Sequence, residues 1–345
     1  MADNIGIAVV GTGDWGANLV RNFASLPGAR LAALHDSDPK RLGKSAAQYP
    51  GARPVADLAE LLALPDVQAV VVAASAVSHY PLARAALEAG KDVFVEKPLT
   101  LEVKHAEELV KLARERGRIL MVGHLLLFHS GVRYLKDMVE RGDLGDLYYL
   151  YSQRVNLGKV RRDENALWSF APHDLSVILH LLGMEPSDVV ARGSAFLQGT
   201  VEDVVFVNLR FPNGKLAHVH VSWLDPHKLR KFTVVGSRKM VVFDDMEASE
   251  KIKVYDKGVD RAGEVVSYGD ALTVRSGDIL IPRISLQEPL RLECQHFVEC
   301  VRDRKPPLTD GTSGLQVVRV LAAAQASLDR GGTPVSLAPA GQEPS

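Results

Sequence analysis

Apolar positions along the chain change their period about a third of the way in. Up to Gly123 they form short continuous runs, at 5–10, 31–34, 67–73, 93–95 and 119–122. Between these runs lie stretches with helical spacing: Leu19, Val20, Phe23 and Leu26, then 57–64, 81–89 and 101–116. A continuous apolar run predicts a strand covered on both faces. Repeated strand–helix–strand units predict a parallel, doubly wound sheet. Beyond Gly123 the spacing predicts helices at 131–141 and 174–182 and a long aromatic strand at 146–155. From 188 to 256 alternating strands follow one another without helices, most clearly at 204–206, 216–221 and 232–235, and Pro212-Asn213-Gly214 marks a hairpin. Strands in that succession predict an antiparallel sheet. Helices at 291–302 and 313–328 close the chain, and the Pro- and Gly-rich tail from Gly331 is expected to be loose. The fold class is α/β, with a parallel sheet over 1–123 and a second α/β domain over 124–345 built on a large, mainly antiparallel open sheet. Helices on one face of such a sheet leave the other uncovered. That predicts a homo-oligomer, dimer or tetramer, joined through the open face.

Composition changes this picture little. A length of 345 residues suits two domains. A net charge of −1 supplies no field to recruit nucleic acid or an anionic membrane. The two cysteines, Cys294 and Cys300, fall on different faces of a helical pattern, which argues against a mutual disulfide and for a reducing, cytoplasmic setting. The N-terminus has no basic or apolar targeting stretch, and no run approaches the roughly 18 apolar residues of a membrane span.

The first apolar run leads directly into Gly11-Thr12-Gly13-Asp14-Trp15-Gly16 and then a helix. In this Rossmann-type turn the first glycine permits a tight bend, the second lets a pyrophosphate approach the backbone, and the third lets helix pack on strand. The helix N-terminus offers free N–H groups to the phosphates. Asp36 ends the second strand 25 residues after Gly11, where a carboxylate would bind the adenosine ribose hydroxyls. That carboxylate favours NAD and disfavours a 2′-phosphate. Lys40 and Arg41 are read as facing solvent, with NADP as the alternative if they reach a phosphate. Further along, the strand in Asp92-Val93-Phe94-Val95-Glu96-Lys97-Pro98 stops at a carboxylate, an amine and a proline. Carboxyl ends of strands in such sheets are where ligands bind. Lys97 is therefore a candidate to act where nicotinamide meets a hydroxylated substrate, against the alternative of a solvated strand-end lysine. Ala74 and Ser75 lie at another such end, and His79 just beyond them is either a cofactor contact or a capping or surface histidine. In the second half, His173 follows Pro172 and is read as opening a helix, where the dipole disfavours a charged imidazole. A neutral ring there would be a general base, or His173 and Asp174 merely cap the helix. His180 is expected to be packed. His218 and His220 share a strand face without an evident third ligand, so no metal site is expected.

The Gly11–Gly16 turn, the Glu96-Lys97-Pro98 signature and Pro172-His173-Asp174, in this order, resemble the glucose–fructose oxidoreductase and inositol dehydrogenase family, Gfo/Idh/MocA, over nearly the whole chain. The resemblance implies an NAD(P)-dependent sugar dehydrogenase in which Lys97 positions and polarises the substrate hydroxyl and His173 is the acid/base. It implies cofactor contacts from Gly11, Thr12, Gly13, Asp14, Trp15, Gly16, Asp36, Ala74, Ser75, His79, Glu96 and Lys97. Its substrate contacts would be Lys97, His124, Arg154, Asn156, Trp168, Ser169 and His173. The runs at 151–158 and 167–173 look like the branch that oxidises nucleotide-linked sugars at C3. Two positions depart from the family pattern. Ser169 stands where an aspartate often precedes the histidine, and Ala73-Ala74-Ser75 replaces a usual Ala-Thr-Pro. The alternatives left open are a keto-sugar reductase using NADPH, an inositol dehydrogenase, and a non-catalytic NAD-binding regulatory protein.

Overall fold

The computed structural model describes residues 4–158, 160–261 and 272–337. The chain begins with β1 (Ile5–Val10), α1 (Gly16–Ser25), β2 (Ala29–His35), α2 (Pro39–Gln48), β3 (Arg53–Pro54) and α3 (Leu58–Ala63). It continues through β4 (Ala69–Val72), α4 (Ala76–Glu88), β5 (Asp92–Glu96), α5 (Val103–Glu115), β6 (Leu120–Gly123) and α6 (Ser130–Glu140). Next come β7 (Leu147–Val155), α7 (Ala166–Leu182), β8 (Asp188–Ser194), β9 (Val204–Arg210), β10 (Leu216–Ser222), β11 (Leu229–Gly236) and β12 (Met240–Asp244). The chain ends with β13 (Ile252–Tyr255), β14 (Gly258–Arg261), β15 (Leu272–Arg275), β16 (Ile279–Leu280), α8 (Pro289–Asp303), α9 (Gly311–Asp329) and β17 (Val335–Ser336). Two compact units result, residues 1–128 with 287–319 and residues 129–286 with 320–345.

The first unit holds a six-stranded parallel sheet in the order β3-β2-β1-β4-β5-β6. Its central strands are buried because helices cover both faces: all four residues of β4 and all five of β5 are buried, including Asp92 and Glu96 at the two ends of β5. Helix starts are marked by local chemistry. Asp38 caps α2 ahead of Pro39, and Asp57 caps α3. On the far flank of β5, the Phe94 and Phe23 rings both meet Phe297 of α8 edge-on.

The second unit holds a nine-stranded sheet in the order β16-β13-β12-β11-β7-β10-β9-β8-β17. It is mixed: β7 and β10 run parallel, and the other neighbouring pairs are antiparallel. The Pro212-Asn213-Gly214 hairpin joins β9 to β10, with Gly214 at φ +79°. Helix α7 covers β7, β9 and β10 on one face. On the other face Tyr149, Phe206 and Leu216 are exposed, and Phe206 stacks on His220 with ring centroids 4.4 Å apart. No helix among the described residues is long and apolar enough to cross a membrane.

Three expectations are corrected. Helix α7 does not begin near His173; it begins at Ala166, where Asn165 accepts a hydrogen bond from the Trp168 amide at 3.2 Å. Pro172 therefore lies inside the helix. Its missing N–H forfeits one bond, but the Asn165 cap and the buried stripe of Leu167, Ala171, Leu175 and Ile178 outweigh that loss. Helix α4 likewise starts at Ala76, five residues before Pro81, because the buried His79 ring pins its first turn. In the tail, Val335 and Ser336 pair with β8 and Leu337 N donates to Ser187 O at 2.9 Å, so these residues are held to the sheet and the chain is not loose there. Residues 338–345 lie outside the described residues.

Candidate functional site

In the first unit the sequence-predicted residues gather at the carboxyl ends of β1, β2, β4, β5 and β6. Gly11 has φ +94°, and a Cβ there would lie 2.7 Å from the backbone of Ala73 and Ala74. Only glycine lets the turn run this close to the Ala74-Ser75 end of β4. A Cβ on Gly16 would strike the carbonyl oxygen of Gly11. Gly13 differs. Its φ is not positive, and a Cβ there would meet nothing nearer than the Arg41 guanidinium at 3.5 Å. The fold itself does not demand glycine at this position, so the missing side chain leaves open surface over the turn. Helix α1 has no side-chain cap at Trp15; its Ala17 and Asn18 amides donate to Gly13 O and Trp15 O, each at 2.9 Å. Asp36 accepts hydrogen bonds from Thr12 N at 2.7 Å, Thr12 Oγ1 at 3.1 Å and Asp38 N at 2.9 Å. Burial pushes its pKa up, but these donors and Arg41 outweigh burial and hold it below the usual carboxylate range. An open glycine surface and a fixed carboxylate are what a nicotinamide dinucleotide requires, and the residues present fit one. Arg41 is exposed but leans over Gly13, which differs from the solvent-facing expectation.

Next to this turn, Trp15 Nε1 donates to Glu96 Oε1 at 2.6 Å, and Lys97 N donates to Glu96 Oε2 at 3.2 Å. Glu96 is thereby tied to both the glycine turn and the Lys97-Pro98 bend. Burial raises its pKa to about 7, against the Trp15 bond and the Lys97 charge. His124, at the end of β6, is 1% exposed, and neither ring nitrogen has a hydrogen-bond partner among the described residues. Burial, then the Lys97 charge, lowers its pKa to about 4, so it is neutral at physiological pH. A fully buried imidazole without such partners is costly. His79 is buried, with ring nitrogens on Pro98 O at 2.7 Å and Ala74 O at 3.1 Å. It bridges β4 and the Pro98 bend and is not a surface histidine.

In the second unit, Arg154, Asn156, Trp168, Ser169 and His173 lie where the parallel strands β7 and β10 end. Asn156 N bonds Ser222 O, and Ala166 N bonds Glu202 O. Trp168 Nε1 donates to Gln325 Oε1 at 3.2 Å. Ser169 and His173 are four apart and share a side of α7. His173 is two turns inside the helix, so the dipole argument for a neutral ring lapses. Arg154 directs its fork at the protein's own Asp174, Nε to Oδ2 at 2.6 Å and Nη2 to Oδ1 at 3.3 Å. This buried pair fixes the helix turn that carries His173. His218 bonds Asn208 at 2.9 Å and lies beside Phe206, and no group of three metal-ligating side chains gathers among the described residues.

Two family profiles match the chain. Residues 5–124 match an oxidoreductase family with an NAD-binding Rossmann fold, and residues 132–242 match the GFO/IDH/MocA C-terminal domain. The chain belongs to the Gfo/Idh/MocA family. Among its relatives, a 2,7-anhydro-N-acetylneuraminate hydratase from Mediterraneibacter gnavus is 32% identical over 62% of this chain and 60% of its own length. The chain thus spans about 60% of the length of the first curated relatives it matches. A UDP-N-acetylglucosamine 3-dehydrogenase from Acidithiobacillus ferrooxidans is 26% identical over 92% of this chain and 94% of its own. A solved oxidoreductase from Magnetospirillum magnetotacticum MS-1 is 30% identical, with TM-score 0.77 over 93% of this chain and 99% of that one. As in other Gfo/Idh/MocA proteins, the first unit is an NAD-binding Rossmann domain.

Sequence reasoning missed one buried residue of this member. Glu293 on α8 is 0% exposed, and both its oxygens lack a hydrogen-bond partner among the described residues. The signal was present: Glu293 falls within the stripe of Leu290, Cys294, Phe297 and Val301 that α8 buries.

Proposed function

We propose that the protein is an NAD-dependent sugar dehydrogenase acting on the C3 hydroxyl of a nucleotide-linked sugar. The observation that carries this reading is the Trp15–Glu96 bond, which couples the dinucleotide turn to the strand end bearing Lys97. Gly11 to Gly16 and Asp36 would hold the dinucleotide, with Ala74, Ser75, His79 and Glu96 lining the nicotinamide end. Bound NAD supplies the hydride acceptor. The Lys97 ammonium would lower the pKa of the sugar hydroxyl, and His173 would take its proton. His124, neutral and unsatisfied, would hydrogen-bond the substrate beside Lys97. Asn156, Trp168 and Ser169 would line the sugar site, while Arg154 acts through Asp174. The protein would work in the cytoplasm as a homo-oligomer joined through the Tyr149–Phe206–Leu216 face.

The test is a screen of UDP- and TDP-sugars and free polyols with NAD and NADP, read at the nicotinamide absorbance. Steady NADH formation with a nucleotide sugar is the expected result. Lys97→Ala should cut turnover at least about a hundredfold while NAD still binds, and near-normal turnover would refute the role. The hydratase relative favours a second reading, a reaction with no net oxidation of the substrate. Substrate turnover without net NADH would establish that reading instead.

A further inference from the structure

Phe94 and Glu96 are two apart on β5 and project from the same face. Glu293 and Phe297 are four apart on α8 and share one side of it. The Phe94 and Phe297 rings meet with centroids 5.6 Å apart. One step along both elements, the same packing sets Glu293 towards Glu96, and the Glu293 carboxyl lies within the field of Glu96. Gly123, opposite Glu96 on β6, has no room for a side chain, since a Cβ there would lie 2.9 Å from Glu96 Oε2. The end of β6 therefore closes over the Glu96 carboxyl.

Their surroundings are unequal. Glu96 has two donors, Trp15 Nε1 and Lys97 N, and the charge of Lys97 nearby. Among the described residues Glu293 has neither donor nor cation, and an isolated buried carboxylate is prohibitively costly. We propose that Glu293 is a positioning residue, a permanently protonated acid that backs Glu96, so that only Glu96 ionises and binding of a cationic nicotinamide expels the Glu96 proton to solvent. The inference rests on the dinucleotide reading above.

The other groups around the pair are compatible with this division. Burial and then Glu96 push Glu293 well above the carboxylate range, whereas Glu96 sits at about 7. His124 is neutral, and the Cys294 thiol on α8 is pushed up by burial, then by Glu293 and Glu96. Arg21 on α1 is bound to Glu288 at the start of α8. Lys97 thus remains the charge that acts on Glu96 from its own segment. Oxidised nicotinamide carries a positive charge and the reduced ring does not. The oxidised cofactor should therefore bind more tightly as pH rises toward about 7, whereas the reduced cofactor should not.

The test is calorimetry of NAD and NADH binding to the full chain, in buffers of different ionisation enthalpy, from about pH 5.5 to about pH 8.5. NAD binding should release up to about one proton below the break point, and its dissociation constant should fall roughly tenfold per pH unit there; NADH should show neither effect. Glu96→Gln should abolish the proton release. Glu293→Gln, a neutral isostere, should leave the break point within about half a unit and remove a protonated-carboxyl infrared band seen in the wild-type apo protein. A fall of the break point by more than about one unit in Glu293→Gln would mean that Glu293 carries the charge, and would overturn the proposal. NAD binding without proton exchange would also overturn it, while leaving the dehydrogenase reading intact. Failure to bind any nicotinamide dinucleotide would sink that reading and the linkage together. The apo infrared band and the pH titration of Trp15 emission would then still decide the proton state of the pair.

Discussion

Glu96 and His124 should give the first unit two opposing pH dependences that nearly cancel in the wild-type protein. Glu96 has a folded-state pKa of about 7 against 4.5 when unfolded. Between those values the folded chain holds more protons, so stability is fully present below about pH 4.5 and is lost as pH rises through about 7. A shift of this size corresponds to about 3 kcal/mol. His124 has a folded-state pKa of about 4 against 6.5. Here the unfolded chain holds more protons, so stability is full above about pH 6.5 and is lost as pH falls through about 4, again by about 3 kcal/mol. From about pH 4.5 to about 6.5 the slopes oppose. Glu96→Gln should remove one of them. Relative to wild type, it should gain up to about 3 kcal/mol at about pH 8 and nothing below about pH 4.5. The gain would be reduced by roughly 1 kcal/mol because an amide oxygen accepts the Trp15 and Lys97 bonds less strongly than a carboxylate does. His124→Asn should show the mirror image, losing the acid-side decline. The assay is urea unfolding across that pH range in a Trp168→Phe, Trp223→Phe background, so that Trp15 alone reports on the first unit. A wild-type minus Glu96→Gln difference that is flat with pH would refute the reasoning.

The glycine turn offers a paired test. Gly11→Ala forces a Cβ into the Ala73–Ala74 backbone at positive φ and should cost at least about 2 kcal/mol by thermal or chemical unfolding. Gly13→Ala meets only the movable Arg41 end, so stability should stay within about 0.5 kcal/mol while NAD affinity, by calorimetry, falls at least about tenfold. Asp174→Ala leaves Arg154 buried and unpaired, and should destabilise the second unit by about 3 kcal/mol or more. If Asp174→Ala unfolds like wild type, the pair is not what fixes the His173 turn.

How much of this was legible in the sequence depended on whether an element carried its own punctuation. The parallel sheet was readable because five of its six strands have a continuous apolar run at their centre; β3, Arg53-Pro54, has none and was not read. The family motifs could be placed for the same reason, since Gly11, Asp36 and Lys97 all terminate strands. Proline misled the reading twice, at Pro81 and Pro172, because it was taken as a helix start when tertiary contacts hold a helix through it. At Pro172 that error carried a chemical claim with it, the dipole-neutralised His173. The carboxyl pair was illegible for a different reason. The apolar stripe of α8 places Glu293 on the buried side, but not against any particular strand, until the Phe94–Phe297 contact aligns α8 with β5. A sequence gives the buried side of a helix but not the partner that side meets. The residues that tune a site through charge, here Glu293 behind Glu96, are thus the ones that only the folded chain reveals.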